Sequence, residues 1–289
     1  MTHPSGIEEK SLWTVRDVIR WMTDRFSREG IASARLDAEL LCAQALGCDR
    51  VGIYLSMDRP LSAQERASLR DLVRRRLARV PVAYLTGSRE FFGLSLQVTP
   101  AVLIPRPDTE TLVEAALEAF PGETPIEILD VGTGSGAIAL ALAHARRAWR
   151  VTATDISADA LEVARENAQK LQLNVELLQG DLFEPAAGRR FHMIVSNPPY
   201  IPEGETLQPE IRHEPPSALF SGADGLSHLR RIVREAPLFL QPGGLLLCEF
   251  GAGQEMQLEN LARDAGAYGE IRILRDLGGL PRVLSAKLK

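Results

Sequence analysis

Four residues, Asn197-Pro198-Pro199-Tyr200, stand directly behind the apolar run Phe191-His192-Met193-Ile194-Val195 and Ser196. Adjacent prolines lack N–H donors and fix φ, so a strand over that run has to stop here and present Asn197 at its carboxyl end. The Asn197 side-chain oxygen is one hydrogen-bond acceptor, and the Pro198 carbonyl is a second, held by a rigid backbone. Tyr200 adds a flat apolar face and a hydroxyl. Two acceptors in fixed geometry suit a planar –NH₂ group, a carboxamide or an adenine amine. Such a nitrogen is a poor nucleophile because its lone pair is delocalised. Gripping both hydrogens aims it at an electrophile, and the acceptors stabilise the positive charge that grows on it. Nitrogen becomes acidic once alkylated, so no strong base is required. His192, in a strand, and His213, in a loop, are read as structural. The competing reading of Asn197–Tyr200 is a turn that only ends the strand.

Upstream, Asp130-Val131-Gly132-Thr133-Gly134-Ser135-Gly136 lies between an apolar run and a small-residue helix. Glycines there allow a tight turn and close approach of a ligand to a helix N-terminus. Gly132, Gly134 and Ala137 also satisfy the dinucleotide pattern G-x-G-x-x-A, so a nicotinamide enzyme stays open at this point. Asp155 ends the run Val151-Thr152-Ala153-Thr154, where a carboxylate can accept from two ribose hydroxyls of NAD or S-adenosylmethionine, or cap the helix that follows. In Gly180-Asp181-Leu182 the acid can accept from an adenine amine with Leu182 on the ring, or sit in a plain loop. A nicotinamide oxidoreductase or bare nucleotide-binding module uses the glycines and Asp155 and leaves Asn197–Tyr200 idle. The sulfonium methyl of S-adenosylmethionine, lying along the same edge, gives the held nitrogen its electrophile.

The elements that must position these residues alternate after Pro125. Strands are expected at Ile126–Val131, Arg150–Thr154, Val175–Leu178, Phe191–Val195 and Leu245–Phe250, the last after a Pro242-Gly243-Gly244 turn. Helices are expected at Ala137–Ala145, Ala158–Leu171, Leu226–Leu240 and Gln254–Asp264. Two further strands surround Gly278-Gly279-Leu280-Pro281, which reads as a hairpin giving an antiparallel edge. This is an α/β, Rossmann-like, doubly wound sheet. The chain to about Val80 is instead helical throughout. Ser11 is placed as the cap of a helix burying Val15, Val18, Ile19, Met22 and Phe26. Ser33 starts a second with Leu36, Leu40, Leu41 and Ala43 inward. Ser62 and Glu65 form a capping box for a third that buries Leu69, Leu72, Val73 and Leu77. The expected organisation is a helical domain over 1–83, a β-hairpin linker over 84–105 and the α/β domain over 106–289. Asp108 is placed as the cap of the helix that opens the last.

Composition narrows the partners. A net charge of −5 argues against a broad nucleic-acid surface, and Arg74, Arg75, Arg76 and Arg79 read as a solvated helix face. The three cysteines, Cys42, Cys48 and Cys248, lack metal or disulfide spacing and read as small core residues, which fits a reducing cytoplasm. No metal is expected. No signal peptide is read at the start, and no apolar stretch is long enough for a membrane span.

The Asp-Val-Gly-Thr-Gly-Ser-Gly stretch, Asp155 and Asn197-Pro198-Pro199-Tyr200 together resemble the Asn-Pro-Pro-Tyr class of S-adenosylmethionine-dependent methyltransferases. Three stretches narrow the likeness: Gly87-Ser88-Arg89-Glu90-Phe91-Phe92-Gly93, Val102-Leu103-Ile104-Pro105-Arg106-Pro107-Asp108-Thr109-Glu110 and Val195-Ser196-Asn197-Pro198-Pro199-Tyr200-Ile201-Pro202. With them the sequence is similar, over nearly its whole length, to the peptide chain release factor glutamine methyltransferases, the PrmC/HemK family. The resemblance implies a seven-stranded methyltransferase sheet with an antiparallel C-terminal strand. It implies transfer of a methyl group from S-adenosyl-L-methionine, leaving S-adenosyl-L-homocysteine, to the glutamine side-chain amide in the Gly-Gly-Gln loop of class I release factors. Gly132, Thr133, Gly134, Ser135 and Gly136 would cradle the methionine end of the cofactor. Asp155 would hold its ribose, and Asp181 and Leu182 would border its adenine; Leu182 stands where relatives can carry an aromatic, a departure that bears on stacking and not on adenine binding. Asn197 would face both cofactor and substrate. Asn197, Pro198, Pro199 and Tyr200 would bind the glutamine, with Asn197, Pro198 and Tyr200 catalytic. The helical domain would recognise the protein substrate; a cytoplasmic monomer without stable nucleic-acid or membrane partners is expected. The alternative is a nucleic-acid adenine methyltransferase, which would want a basic stripe and a target-recognition domain.

Overall fold

Thr14 opens the first helix by accepting from the Asp17 N–H while Asp17 reaches back to the Thr14 N–H, a reciprocal cap. Ser11, the expected cap, lies outside the described residues, which in this computed structural model are 12–289. The chain divides into two units, one ending at Gly87 and one running from Ser88 to Lys289.

The first unit is helical: α1 (Val15–Arg28), α2 (Ala34–Leu46), α3 (Arg50–Leu55), α4 (Ala63–Leu77) and α5 (Val82–Thr86). Ser62 and Glu65 cap α4 reciprocally, as their spacing predicts. Trp13, Met22, Phe26, Leu41 and Leu69 share its core. Helix α2 departs from expectation. Leu36 is 44% exposed, while Asp37 and Glu39 are buried. Small residues Ala34, Ala38 and Cys42 bring α2 close to its neighbours, and polar partners meet the two acids there. Arg76 Nε donates to Asp37 at 2.8 Å, with both side chains about as buried as the core. Arg76 is therefore interior, unlike the exposed Arg74 and Arg75, and the expected solvated cluster does not exist as a unit. Glu39 accepts from Arg35, Arg50 and Tyr54. Burial opposes its charge, but these three donors outweigh burial and hold its carboxyl at about 2. Cys48 is exposed rather than core; Cys42 and Cys248 are buried.

The second unit begins with the hairpin β1 (Ser88–Phe91) and β2 (Leu94–Gln97). Phe91, Leu94 and Leu96 are buried in this unit's own core. Then follow α6 (Glu110–Ala119), β3 (Glu127–Val131), α7 (Ala137–Ala145), β4 (Arg150–Asp155), α8 (Ala158–Leu171), β5 (Val175–Gln179), β6 (Phe191–Ser196), α9 (Ser227–Glu235), β7 (Leu240–Glu249), α10 (Glu255–Asp264), β8 (Tyr268–Arg275) and β9 (Pro281–Leu288). The sheet order is β5-β4-β3-β6-β7-β9-β8. Strands β5 to β7 are parallel, and β9 is antiparallel to both β7 and β8. The antiparallel strand is thus one place inside the sheet. The C-terminal hairpin therefore gives this end of the sheet antiparallel pairing, as its turn residues predict, with β8 at the edge. Residues of α6 and α7 cover one face, and those of α9 and α10 the other.

Two local readings also change. Pro242-Gly243-Gly244 does not precede β7 but is absorbed into it as a bulge, where the register slips between Phe191 and Met193 of β6. Asp108 is no cap: Pro107–Thr109 is a 3₁₀ turn without a side-chain cap bond, and Asp108 pairs with Arg282 at 2.8 Å.

Strand order reverses between β3 and β6, because β3 is followed outward by β4 and β5 while β6 leads to β7. Val131 lies opposite Ser196 across that pair. The glycine loop and Asn197 therefore leave the sheet side by side at the switch point, the edge where open α/β sheets bind ligands. Among the described residues, no helix is long and apolar enough to cross a membrane. Nor do three or more His, Cys, Asp or Glu groups gather there as a metal site.

Candidate active site

The loop after β3 is pinned by the Gly132 and Thr133 N–H groups, which donate to the Thr154 carbonyl at 2.9 and 3.0 Å. Gly132 and Gly134 have φ of +74° and +56°, a region costly for side chains. Space around both is open where a Cβ would stand, and both line a cavity with Thr133 and Ser135. Gly136 is different. It opens α7 at φ +83°, and a Cβ there would meet Leu140 and Ala164 at 3.0 and 3.3 Å. It packs the helix behind the loop and does not line the cavity.

Beneath the loop, Asp130 accepts from the Thr133 hydroxyl at 2.6 Å and the Ala139 N–H at 3.2 Å. Complete burial pushes its carboxyl up to about 7, and its other oxygen has no partner. Asp155, at the end of β4, lines the same cavity. It accepts from the Gly134 N–H at 2.8 Å and the Ser157 N–H at 2.9 Å, and burial raises its pKa. Each carboxylate oxygen keeps a further lone-pair direction for a ligand. The cap of α8 is Ser157, not Asp155. Asp181 and Leu182 line the cavity too, but the Asp181 carboxylate holds Arg231 at 2.9 Å. Leu182 sits at φ +48°, its carbonyl accepting from Thr154 Oγ1 at 2.9 Å.

Asn197 is common to two cavities. One is the cavity of the glycine loop and Asp155, which Pro199 also lines. The other is lined by Leu103, Arg106, Pro198, Tyr200, Ile201 and Leu219. Asn197 Nδ2 donates to Thr109 Oγ1 at 3.0 Å, and among the described residues nothing donates to its Oδ1. The amide is thus anchored by its donor end, and its acceptor end is left for a ligand. Tyr200 is clamped. Its carbonyl accepts from Gln254 Nε2 at 3.0 Å, and a Cβ on Gly251 would meet its ring at 3.0 Å. Burial drives its phenol pKa well up, so the hydroxyl stays protonated.

Sequence reasoning passed over five residues here. Thr109 orients Asn197. Glu249, buried at the end of β7, lies under Tyr200, whose hydroxyl is 3.5 Å from its Oε1. Arg106 lines both cavities and is paired to Glu214, a buried acid that also accepts from the Ile104 N–H at 3.0 Å. His228 lines the first cavity with Nδ1 2.7 Å from Ser221 Oγ. Arg106 and Thr109 lie inside the Ile-Pro-Arg-Pro-Asp-Thr-Glu stretch; nothing local marks the other three.

Residues 17–87 match the PrmC N-terminal domain family, and residues 108–224 match the methyltransferase small domain family. A protein of Geobacter sulfurreducens named release factor glutamine methyltransferase is 43% identical over 284 residues, 97% of this chain and 99% of its own. One of the same name from Xylella fastidiosa is 45% identical over 252 residues, 86% of this chain and 91% of its own. Among solved structures, a methyltransferase from Pyrococcus furiosus shares the fold, with a TM-score of 0.52 at 21% identity over 68% of this chain and 89% of that one. With that identity spread over nearly its entire length, the chain belongs to the release factor glutamine methyltransferase family.

Proposed function

We propose that this protein methylates the side-chain amide nitrogen of the glutamine in the Gly-Gly-Gln motif of class I peptide chain release factors, using S-adenosyl-L-methionine. The observation that carries this reading is the placement of Asn197. Its oxygen is unclaimed at the junction of a glycine-walled cavity and a second one walled by proline and tyrosine. The donor set fits the cofactor: Gly132 and Gly134 leave open space, Asp155 offers acceptors for hydroxyls, and Asp181 and Leu182 border the far end. When bound, the cofactor supplies an electrophilic methyl group. Asn197 Oδ1 and the Pro198 carbonyl accept the two amide hydrogens and so turn the nitrogen towards the first cavity. The Tyr200 ring backs the carboxamide plane. These acceptors strengthen as charge grows on the nitrogen, which is where preorganised dipoles lower a barrier. The helical unit serves as the recognition surface for the protein substrate.

The test is to incubate the protein with methyl-labelled S-adenosylmethionine and either a class I release factor or adenine-containing DNA. Label on the release factor glutamine is expected. Label in DNA with none on the release factor would discard the reading in favour of an adenine methyltransferase. A mutational result follows from the same assignment. Asp155→Ala removes the acceptor at the end of β4 and the anchor of the Gly134 N–H. Calorimetry should show cofactor affinity falling about 10- to 100-fold, the loss of one or two charge-assisted hydrogen bonds. Unchanged affinity would remove Asp155 from the cofactor site.

A further inference from the structure

Asn167, on the buried face of α8, has no part in the chemistry above. It is 0% exposed, yet a polar side chain in that place does more than fill space. Its Oδ1 accepts from the Gln97 N–H at 2.6 Å, and its Nδ2 donates to the Gln97 carbonyl at 3.0 Å. The second Nδ2 hydrogen goes to the Ser135 carbonyl, also at 3.0 Å. One carboxamide therefore joins the end of β2 to the glycine loop.

What that amide controls follows from the backbone it holds. A trans peptide unit is planar, with its C=O and N–H on opposite sides. Between Ser135 and Gly136 both ends are bonded, the carbonyl to Asn167 and the Gly136 N–H to the Thr133 carbonyl at 2.9 Å. Ala164, one turn earlier on α8, backs the same place, since a Cβ on Gly136 would meet it at 3.3 Å. The Ser135 carbonyl is thus drawn back towards α8. Without Asn167 a buried acceptor loses its partner, and the peptide is free to swing that carbonyl into the cavity Ser135 lines. There it would set an acceptor against a ligand that brings a carboxylate of its own. At the other end, bonding both backbone groups of Gln97 fixes the direction in which the chain leaves β2. The segment that follows supplies Ala101 and Val102 to the glycine-loop cavity, and Leu103 and Arg106 to both cavities.

We propose that Asn167 is a positioning residue for the cofactor: its carboxamide holds the glycine loop at Ser135 and the start of the 98–106 segment in one frame, and so sets two walls of the cofactor cavity relative to each other. The proposal rests on the cofactor reading given above. A leucine nearly matches this side chain in size, so hydrogen bonding and not volume is what the position demands. Other ties between the hairpin and α8 do not reach the loop. Lys170 Nζ donates to the Ser95 carbonyl at 3.2 Å, and Gln97 Nε2 donates to Glu166 at 2.5 Å, both at the surface.

The experiment is calorimetric titration of the full chain with S-adenosylhomocysteine, for the wild type, Asn167→Leu, Asn167→Ser and Lys170→Met. Asn167→Leu keeps the bulk and loses all three bonds. Asn167→Ser is too short to make them together, and it serves if the first variant does not fold. In either, the dissociation constant should rise about tenfold, the cost of leaving a buried carbonyl unpaired, while each chain still binds one ligand. Lys170→Met loosens the same hairpin without touching Ser135 and should bind like the wild type. A residue that only held the fold together would instead lower the fraction of chains that bind and leave the affinity of the rest alone. That pattern, wild-type affinity in a fully binding Asn167 variant, or an equal loss of affinity in Lys170→Met overturns the inference while leaving the cofactor reading standing. A wild type that binds no S-adenosylhomocysteine overturns both.

Discussion

Asn197→Ala is expected to cut methyl transfer about 10²- to 10³-fold while cofactor affinity stays within a few-fold of wild type. Removing one preorganised hydrogen-bonding group from the reacting atoms costs about 3–4 kcal/mol of barrier in comparable sites. Here the loss falls on kcat, because the oxygen is used most strongly when the substrate nitrogen gains charge. The Gly132–Ser135 loop and Asp155 do not lean on the Asn197 side chain, which is tied to Thr109 instead. Binding of S-adenosylhomocysteine by calorimetry, set beside single-turnover transfer, checks both halves. Turnover like wild type would remove Asn197 from the chemistry. Loss of cofactor binding alone would move it from the reaction to the cradle.

Asp37→Ala should destabilise the helical unit by about 3–5 kcal/mol, the cost of taking the carboxylate from a buried guanidinium. Arg76 is 4% exposed in that unit's interior and has no route to bulk water without opening the packing of α2 on α4. Trp13 and Trp21 lie in this unit, so urea unfolding followed by fluorescence should show a distinct early transition in the variant. The double replacement Asp37→Leu with Arg76→Met should recover most of the loss, since apolar groups of similar size fill the same space without a charge. A single variant unfolding like wild type would mean that the pair contributes little.

Much of this site is legible from the chain because its signals are local. Gly132 and Gly134 follow an apolar strand, and Asp155 and Asn197 each stand where a strand runs out. A parallel sheet brings such strand ends to one edge, so residues far apart in sequence could be placed together without coordinates. What stayed hidden is pairing across distance. Thr109, Tyr200, Glu249 and Arg282 come from four elements, and no spacing announces that they meet. Buried charge misleads for the same reason. Asp37, Glu39 and Arg76 look like solvent-facing helix residues until their partners are known, and Leu36 then takes the exposed position expected of an acid. Asp108 has the composition of a helix cap, yet Arg282 holds it as an ion pair. The glycines before Leu245 read as a turn, since nothing local shows that β6 would carry the strand through them as a bulge.

Strand β9 enters the sheet between β7 and β8 and follows every other strand in chain order. Until residues 281–288 are in place, β7 presents an open hydrogen-bonding edge, and the strand that carries Glu249 has a neighbour on one side only. Arg282 arrives with the same segment. During synthesis, then, the half of the sheet under the glycine loop can assemble early, while the half that carries Glu249 waits for the last hairpin. A ribosome-bound chain would acquire its capacity to hold a cofactor before its capacity to use one.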